Sequence, residues 1–219
     1  MYHITILSVI ICLEFSLTRK AYLISCCYME FIDVMKSRYS CRNYSSQEIE
    51  PEVWEEILDA GRFAPSAQNR QPWRYIIIND KEIIKKIAFH SVVGTINFFI
   101  KDAPTIIVAC GDTKASLRFN KQEYYLVDVA ISFQQMMLAA WNHGIGTCWL
   151  AAFDEIQLKK LLGLPSHYRV VGLSPFGYPK DKSLYGKFVS FIAGSEKRKD
   201  KKEIFFYNLY NKGYDDETL

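Results

Sequence analysis

The chain has 219 residues, 49% apolar and 23% charged, a balance that suits one folded domain with an ample core and excludes disordered and collagen-like chains. Its net charge of +3 is small, and much of the basic excess sits in one late run, EKRKDKK, so a nucleic-acid partner is not expected. The six cysteines, at 12, 26, 27, 41, 110 and 148, include no pair at CxxC spacing, which argues against a metal site and for reduced, structural thiols in a cytoplasmic protein.

Residues 1–28 are apolar but broken by Glu14, Arg19 and Lys20, so no charge-free run reaches the ~18 residues of a membrane span. A signal peptide places basic residues before its apolar run, and here Arg19 and Lys20 follow it. The same order argues against LISC, ending at Cys26, as a lipoprotein cleavage site, and a membrane partner is not expected. Met29 opens a natural domain start. Residues 1–28 therefore stand as an N-terminal extension or a misassigned start, and 29–219 as a single domain with a C-terminal arm from about residue 195.

Phe31, Ile32, Val34 and Met35 predict a short helix over Glu30 to Lys36. A clearer helix follows, with Ser46 as its cap, Pro51 at an early position, Glu52, Glu55 and Glu56 near the positive end, and Val53, Ile57 and Leu58 as the apolar stripe. WRYIII reads as a strand, DKEIIKKIAFHS as an amphipathic helix, and APTIIVACG as a strand buried on both faces. Tyr124 to His143 is the longest periodic segment. Its apolar residues go most of the way round, which demands burial in a core or a subunit interface. Gly144 stops it, GIGTCWLAAF reads as a strand, DEIQLKKLLGL as a helix capped by Asp154, and YRVVGLSPFGYP as a last strand. Strands alternating with helices indicate α/β or α+β.

Two stretches carry candidate chemistry. SRYSCRNY puts Arg38, Ser40 and Arg42 within five residues, two guanidiniums and a hydroxyl able to grip a phosphate, although the same pattern also suits a solvated turn. APSAQNRQPW brackets Ser66, Gln68, Asn69 and Gln71 between prolines. Such amides suit the edge of a flavin or nucleobase, or else satisfy the loop's own backbone. GIGT lacks the third glycine of a dinucleotide fold, the four histidines have no metal or nucleophile partner nearby in sequence, and neither a GxSxG elbow nor a P-loop occurs.

Taken in order, SRYSCRNY, GRFAPSAQNRQPWRYIII, APTIIV, the long helix, GIGTCWLAAFD and LGLPSHYRVVGLSPFGYP resemble the FMN-dependent nitroreductase family over about Met29 to Asn208. The resemblance implies an α+β fold with a central, mostly antiparallel sheet flanked by helices, in an intertwined homodimer. It implies FMN as cofactor, NADH or NADPH as co-substrate, and a small electron-poor acceptor such as a nitroaromatic or quinone, reduced by a ping-pong mechanism on the flavin with no catalytic side chain. A non-catalytic flavin-binding sensor or carrier is the alternative. Arg38, Ser40 and Arg42 would hold the FMN phosphate and ribityl chain, with Tyr39 contributing by its backbone. Pro65, Ser66, Ala67 and Asn69 would contact the flavin bound mainly by the other subunit, while Gln71 and Trp73 shape that loop. Backbone groups of Ala151 and Ala152 would reach the flavin N5 and O4 edge, Asn97 falls near a family position that contacts the ring, and Arg198, with Lys199 beside it, would complete the phosphate clamp. Ala67 and Ala152 stand where many members have Ser and Gly. The loop between Asp112 and Glu123 is short, with no lid insertion.

Overall fold

The structure, a computed structural model, describes residues 29–91, 95–180 and 197–210. The expected N-terminal extension and both ends of the expected C-terminal arm lie outside the described residues. Helix α1 spans Phe31–Ser37 and α2 spans Pro51–Arg62. Strand β1 is Trp73–Ile78, α3 is Lys81–Lys86, and a π-helical turn at Ile87–Ser91 and a 3-10 stretch at Thr95–Asp102 lead to β2, Thr105–Asp112. A small hairpin, β3 Arg118–Phe119 and β4 Gln122–Glu123, opens directly into α4, Tyr124–Asn142. Strand β5 is Gly146–Thr147, α5 is Glu155–Leu162, β6 is Tyr168–Gly177 and α6 is Lys201–Ile204.

The main sheet has the order β1-β2-β6-β5, with every named pair antiparallel. Strand β2 shows why an unbroken apolar run was needed. Its Ile106, Val108 and Cys110 enter one core with Ile84, Ile100 and Leu158, while Ile107 and Ala109 enter another with Val129, Phe133, Met136 and Met137. Period-two alternation thus feeds two helical layers, one on each face. Helices α2 and α4 cover the second face together, joined to β1 by a relay in which Tyr75 donates to Ser132 Oγ at 2.6 Å and Ser132 to the Gly61 carbonyl at 2.7 Å.

Several local expectations needed correction. Helix α2 begins at Pro51 with Glu50 in the cap position, not Ser46. Proline fixes its own φ for the first helical turn and drives the residue before it out of the helical region, so the start is pinned at position 51. GIGTCWLAAF yields only a two-residue strand: the Cys148 N–H goes to Ser174 Oγ at 3.0 Å and not to a strand carbonyl, and the ladder resumes only where Leu150 and Leu173 exchange bonds. The expected helix over DKEIIKKIAFHS ends as a regular helix at Lys86. The helix stop at Gly144 is as expected, with φ at +74°.

Helix α4 also departs from complete burial. Its inner face carries Val129, Phe133, Met136, Met137 and Ala140, all buried, whereas Val127 and Ile131 are 50% and 39% exposed. With half-buried Leu138 they line one outward stripe at helical spacing. Phe31, Ile32 and Met35 of α1 and Phe63 after α2 are exposed nearby, and an apolar groove of about 470 Å³ runs between Phe31, Phe63, Leu138 and Ala139. Among the described residues no helix is long and apolar enough to cross a membrane.

Candidate functional site

The chain leaving α1 runs beside β5. Ser40 forms a parallel bridge with Thr147, and the Cys41 N–H donates to the Thr147 carbonyl at 2.8 Å. Gly146 makes this approach possible, because a Cβ there would lie 2.7 Å from Cys41 Cβ and Sγ. Tyr39 packs edge-on against Trp141 near the end of α4, at 5.3 Å between ring centroids, and Trp141 donates to Ser37 Oγ. The result is a half-buried ledge holding Arg38, Tyr39, Ser40 and Arg42 on the β5 edge. Burial pushes the Cys148 thiol up, and Arg42, a Ser40 hydrogen bond and, more weakly, Arg38 pull it back. The Thr147 hydroxyl is buried there without a hydrogen-bond partner.

Ala151 and Ala152 reach the same edge, exposed, just past the Leu150–Leu173 bridge and just before the Asp154 cap of α5. Neither N–H donates to a described residue. Asn97 is buried on the 3-10 stretch whose Phe99 stacks on Tyr44, two residues beyond Arg42. Arg198 and Lys199 are exposed in the segment leading into α6, where Arg198 donates to the Lys197 carbonyl.

The Ala64 to Trp73 loop lies elsewhere. It enters β1, the opposite edge strand, and is fastened to the first half of α4: the Ala67 N–H donates to Asp128 Oδ1 at 3.0 Å. Within it the Gln71 N–H donates to Ser66 Oγ at 2.9 Å, and Gln71 Nε2 donates to Asn69 Oδ1 at 3.0 Å. Arg70 clamps Gln68 Oε1 and the Ser116 carbonyl. Gln68, Asn69 and Gln71 take φ of 53°, 52° and 48°, the left-handed region costly for residues with side chains. Gln71 thus shapes the loop, Trp73 is buried beneath it, and Pro65 and Asn69 face outward.

Helix α4 measures how far apart these groups are. Asp128 holds the loop and Trp141 holds the ledge, thirteen residues apart on one helix, which is about 20 Å at 1.5 Å per residue. The structure therefore joins Arg38, Tyr39, Ser40 and Arg42 with Ala151 and Ala152 at one sheet edge, and sets Pro65, Ser66, Ala67 and Asn69 at the other. Sequence reading missed Asp128 and Thr147. The one charged side chain of the helix, among mostly apolar inner-face residues, was the signal for the first; the second had none, because its significance comes from Ser40 alongside.

A sequence model described as the Nitroreductase family matches residues 35–93 and 89–178. A relative from Archaeoglobus fulgidus, named "Putative NADH dehydrogenase/NAD(P)H nitroreductase", is 35% identical over 159 residues, 70% of this chain and 87% of its own. A solved nitroreductase family protein from Clostridium difficile 630 superposes with a TM-score of 0.69 at 30% identity, over 83% of this chain and 99% of its own. An FMN-dependent nitroreductase from Clostridium difficile R20291, 24% identical, shares the fold at a TM-score of 0.61 over 86% of this chain and 94% of its own. The antiparallel sheet between two helical layers is the nitroreductase fold. The chain belongs to the nitroreductase family.

The residues present fit a flavin mononucleotide. Two guanidiniums and Ser40 on one ledge suit a phosphate dianion, the Thr147 hydroxyl beside them has no partner among the described residues, and the Ala151 and Ala152 N–H groups, which donate to none of those residues, suit an electron-rich ring edge.

Proposed function

We propose that the protein is an FMN-dependent oxidoreductase that takes hydride from NADH or NADPH and reduces nitroaromatics, quinones or similar electron-poor small molecules, working as a homodimer in the cytoplasm. The observation that carries this reading is the separation of the two half-sites along α4. Two copies packed antiparallel along the outward Val127, Ile131 and Leu138 stripe bring the Asp128 end of one helix beside the Trp141 end of the other. The Ala64 to Trp73 loop of one copy then faces the Arg38 to Arg42 ledge of its partner. The exposed apolar groove and the buried, unpartnered Gln135 Oε1 on the same side support covering by a second copy.

Bound FMN supplies the reversible hydride and electron chemistry that no side chain here provides. Arg38 and Arg42 hold the phosphate with charge-assisted bonds, and Ser40 adds a hydroxyl. Arg198 and Lys199 add positive charge from the C-terminal segment. The Ala151 and Ala152 N–H groups offer fixed donors where negative charge develops on the ring edge. Asn97 supports the ring from the 3-10 stretch. Pro65, Ser66, Ala67 and Asn69 of the partner would wall the ring, in keeping with a ping-pong order in which the two substrates bind in turn. Cys41, Cys110 and Cys148 stay out of the chemistry: burial pushes their thiols up, Cys110 to about 12, which keeps them protonated and inert.

The deciding experiment is an absorbance spectrum of the purified full chain before and after anaerobic NADH or NADPH. Flavin bands that bleach are expected. Bands that persist would instead establish a flavin-binding sensor or carrier, and a chain that stays colourless after FMN is added would sink the cofactor reading.

A further inference from the structure

The buried carboxylate of Asp128 is out of place by every stability criterion. It is 2% exposed, it sits in the apolar inner face of α4, and its Oδ2 is buried with no hydrogen-bond partner. No cation is paired with it among the described residues. Burying an unpaired carboxylate is costly, and Asp is a weak helix former, so this residue lowers the stability of the helix that carries it. Its one described bond leaves the helix altogether: Oδ1 accepts the N–H of Ala67, sixty-one positions earlier in the chain.

That N–H stands at the first residue of the strained turn. Gln68, Asn69 and Gln71 all hold positive φ, and of these only Asn tolerates it readily. A turn of this kind persists only where its surroundings over-determine it. Inside the loop, the Asn69 N–H donates to the Ser66 carbonyl and the Arg70 N–H to the Ala67 carbonyl. The side-chain supports, Gln71 N–H to Ser66 Oγ, the Gln71 to Asn69 amide pair and Arg70 on Gln68 Oε1, are made by exposed or half-exposed groups that water can replace. Arg70 grips the Ser116 carbonyl from an exposed position. Among the described bonds to Pro65–Asn69, the one to Asp128 comes from a buried helix; at the far end of the loop the Pro72 carbonyl accepts the Asp112 N–H of β2 at 2.8 Å.

We propose that Asp128 is a positioning residue for the flavin site: it holds the Pro65 to Asn69 turn in its left-handed shape, so that the loop meets the partner's flavin already formed, at the expense of α4's own stability. The proposal rests on the FMN dimer reading, in which this loop walls the flavin. It predicts a trade that a structural residue does not make. Removing the carboxylate relieves a buried oxygen that has no partner among the described residues and leaves Ala67 N–H half-exposed to water, so the apoprotein keeps or gains stability while the site loses preorganisation.

The test compares the full-length wild type with Asp128→Ala and Asp128→Asn, reading FMN affinity by quenching of FMN fluorescence, the melting temperature without FMN, and the rate of trypsin cleavage after Arg70. Asn keeps an acceptor for Ala67 N–H and is expected to hold FMN affinity within about threefold of wild type, whereas Ala weakens it about 10- to 100-fold. Asp128→Ala is expected to speed cleavage after Arg70 by about tenfold, with an apoprotein melting temperature no lower than wild type. Unchanged cleavage after Arg70 in the Ala variant, an Asn variant as impaired as Ala, or an Ala variant that melts lower or fails to fold would each overturn the proposal. A wild type that does not bind FMN sinks the cofactor reading by itself, and the cleavage ratio then still decides whether Asp128 holds the loop.

Discussion

The ledge at Arg38 to Arg42 and the loop at Ala64 to Trp73 are held by different physics. The ledge is a backbone structure: Ser40 and Cys41 pair with Thr147, Cys41 and Cys148 are buried in the core beside it, and the charged side chains project from a segment already fixed by the sheet. The loop has two short backbone bonds of its own, from Asn69 N–H to Ser66 and from Arg70 N–H to Ala67, but its left-handed residues lean on the side chains of Asp128, Ser66, Gln71 and Arg70. A substitution at the ledge should therefore remove a contact and leave the shape. A substitution in the loop should remove the shape and with it every contact.

The largest test of this contrast acts on neither region. Replacing Val127 and Ile131 by Glu puts two charges on the outward stripe of α4, leaves the buried face intact, and is expected to give a folded monomer without FMN, since neither half-site reaches the other. Sizing chromatography with absorbance detection checks it, and a yellow monomer would mean that one chain carries a complete site.

Next is the ledge itself. Arg38→Ala with Arg42→Ala removes two charge-assisted contacts worth about 1.5 to 3 kcal/mol each, so the double variant should purify mainly as apoprotein yet remain dimeric. Retention of full colour would remove the phosphate from this ledge. Gly146→Ala is a milder probe of the same place. Its Cβ would press on Cys41 at 2.7 Å and on Pro179 at 3.1 Å, and overpacking of that kind costs about 1 to 3 kcal/mol. A lower melting point together with weaker FMN binding is expected; a loss of stability with unchanged FMN affinity would show that the ledge tolerates displacement.

The smallest effect lies just beyond the ledge, away from its charged groups: the Tyr178 carbonyl accepts the Ser45 N–H. Tyr178 donates to Glu50 at 2.6 Å, tying the residue after β6 to the start of α2, and this bond holds the Glu50 carboxyl below its usual range. A depressed folded pKa gives stability that is present above the unfolded value, about 4.3, and is lost as pH falls through the folded one. Tyr178→Phe should melt slightly below wild type at pH 7, with the gap closing below pH 4. A gap that persists in acid would assign the difference to packing of the ring.

The loop was legible in sequence as a non-periodic, turn-rich stretch, although the Asp128 tie that helps to hold its shape comes from far along the chain. Two prolines, a serine and three amides in ten residues have no periodic use, and they turned out to be the groups that bend the chain and bond one another. The ledge residues were also legible as a charge pattern, Arg38, Ser40 and Arg42, but nothing in that pattern said that they lie along β5, since the Ser40 to Thr147 bridge links backbone atoms that any residue carries. The two-residue length of β5 escaped for a related reason, because Ser174 Oγ captures the Cys148 N–H from another strand.

The amino-acid sequence by itself determined most of the larger elements, among them the doubly buried strand at Thr105–Asp112 and the long apolar helix, and the residue types suited to a phosphate and a flat ring. These follow from periodicity, capping and turn chemistry, which act within a few residues. Only the tertiary structure decided where those residues stand. Packing fastened one set to Asp128 and the other to Trp141, about 20 Å apart at 1.5 Å per residue, and left the Val127 and Ile131 face open to solvent. Such distances arise from long-range burial of two sheet faces, a balance that no local pattern encodes.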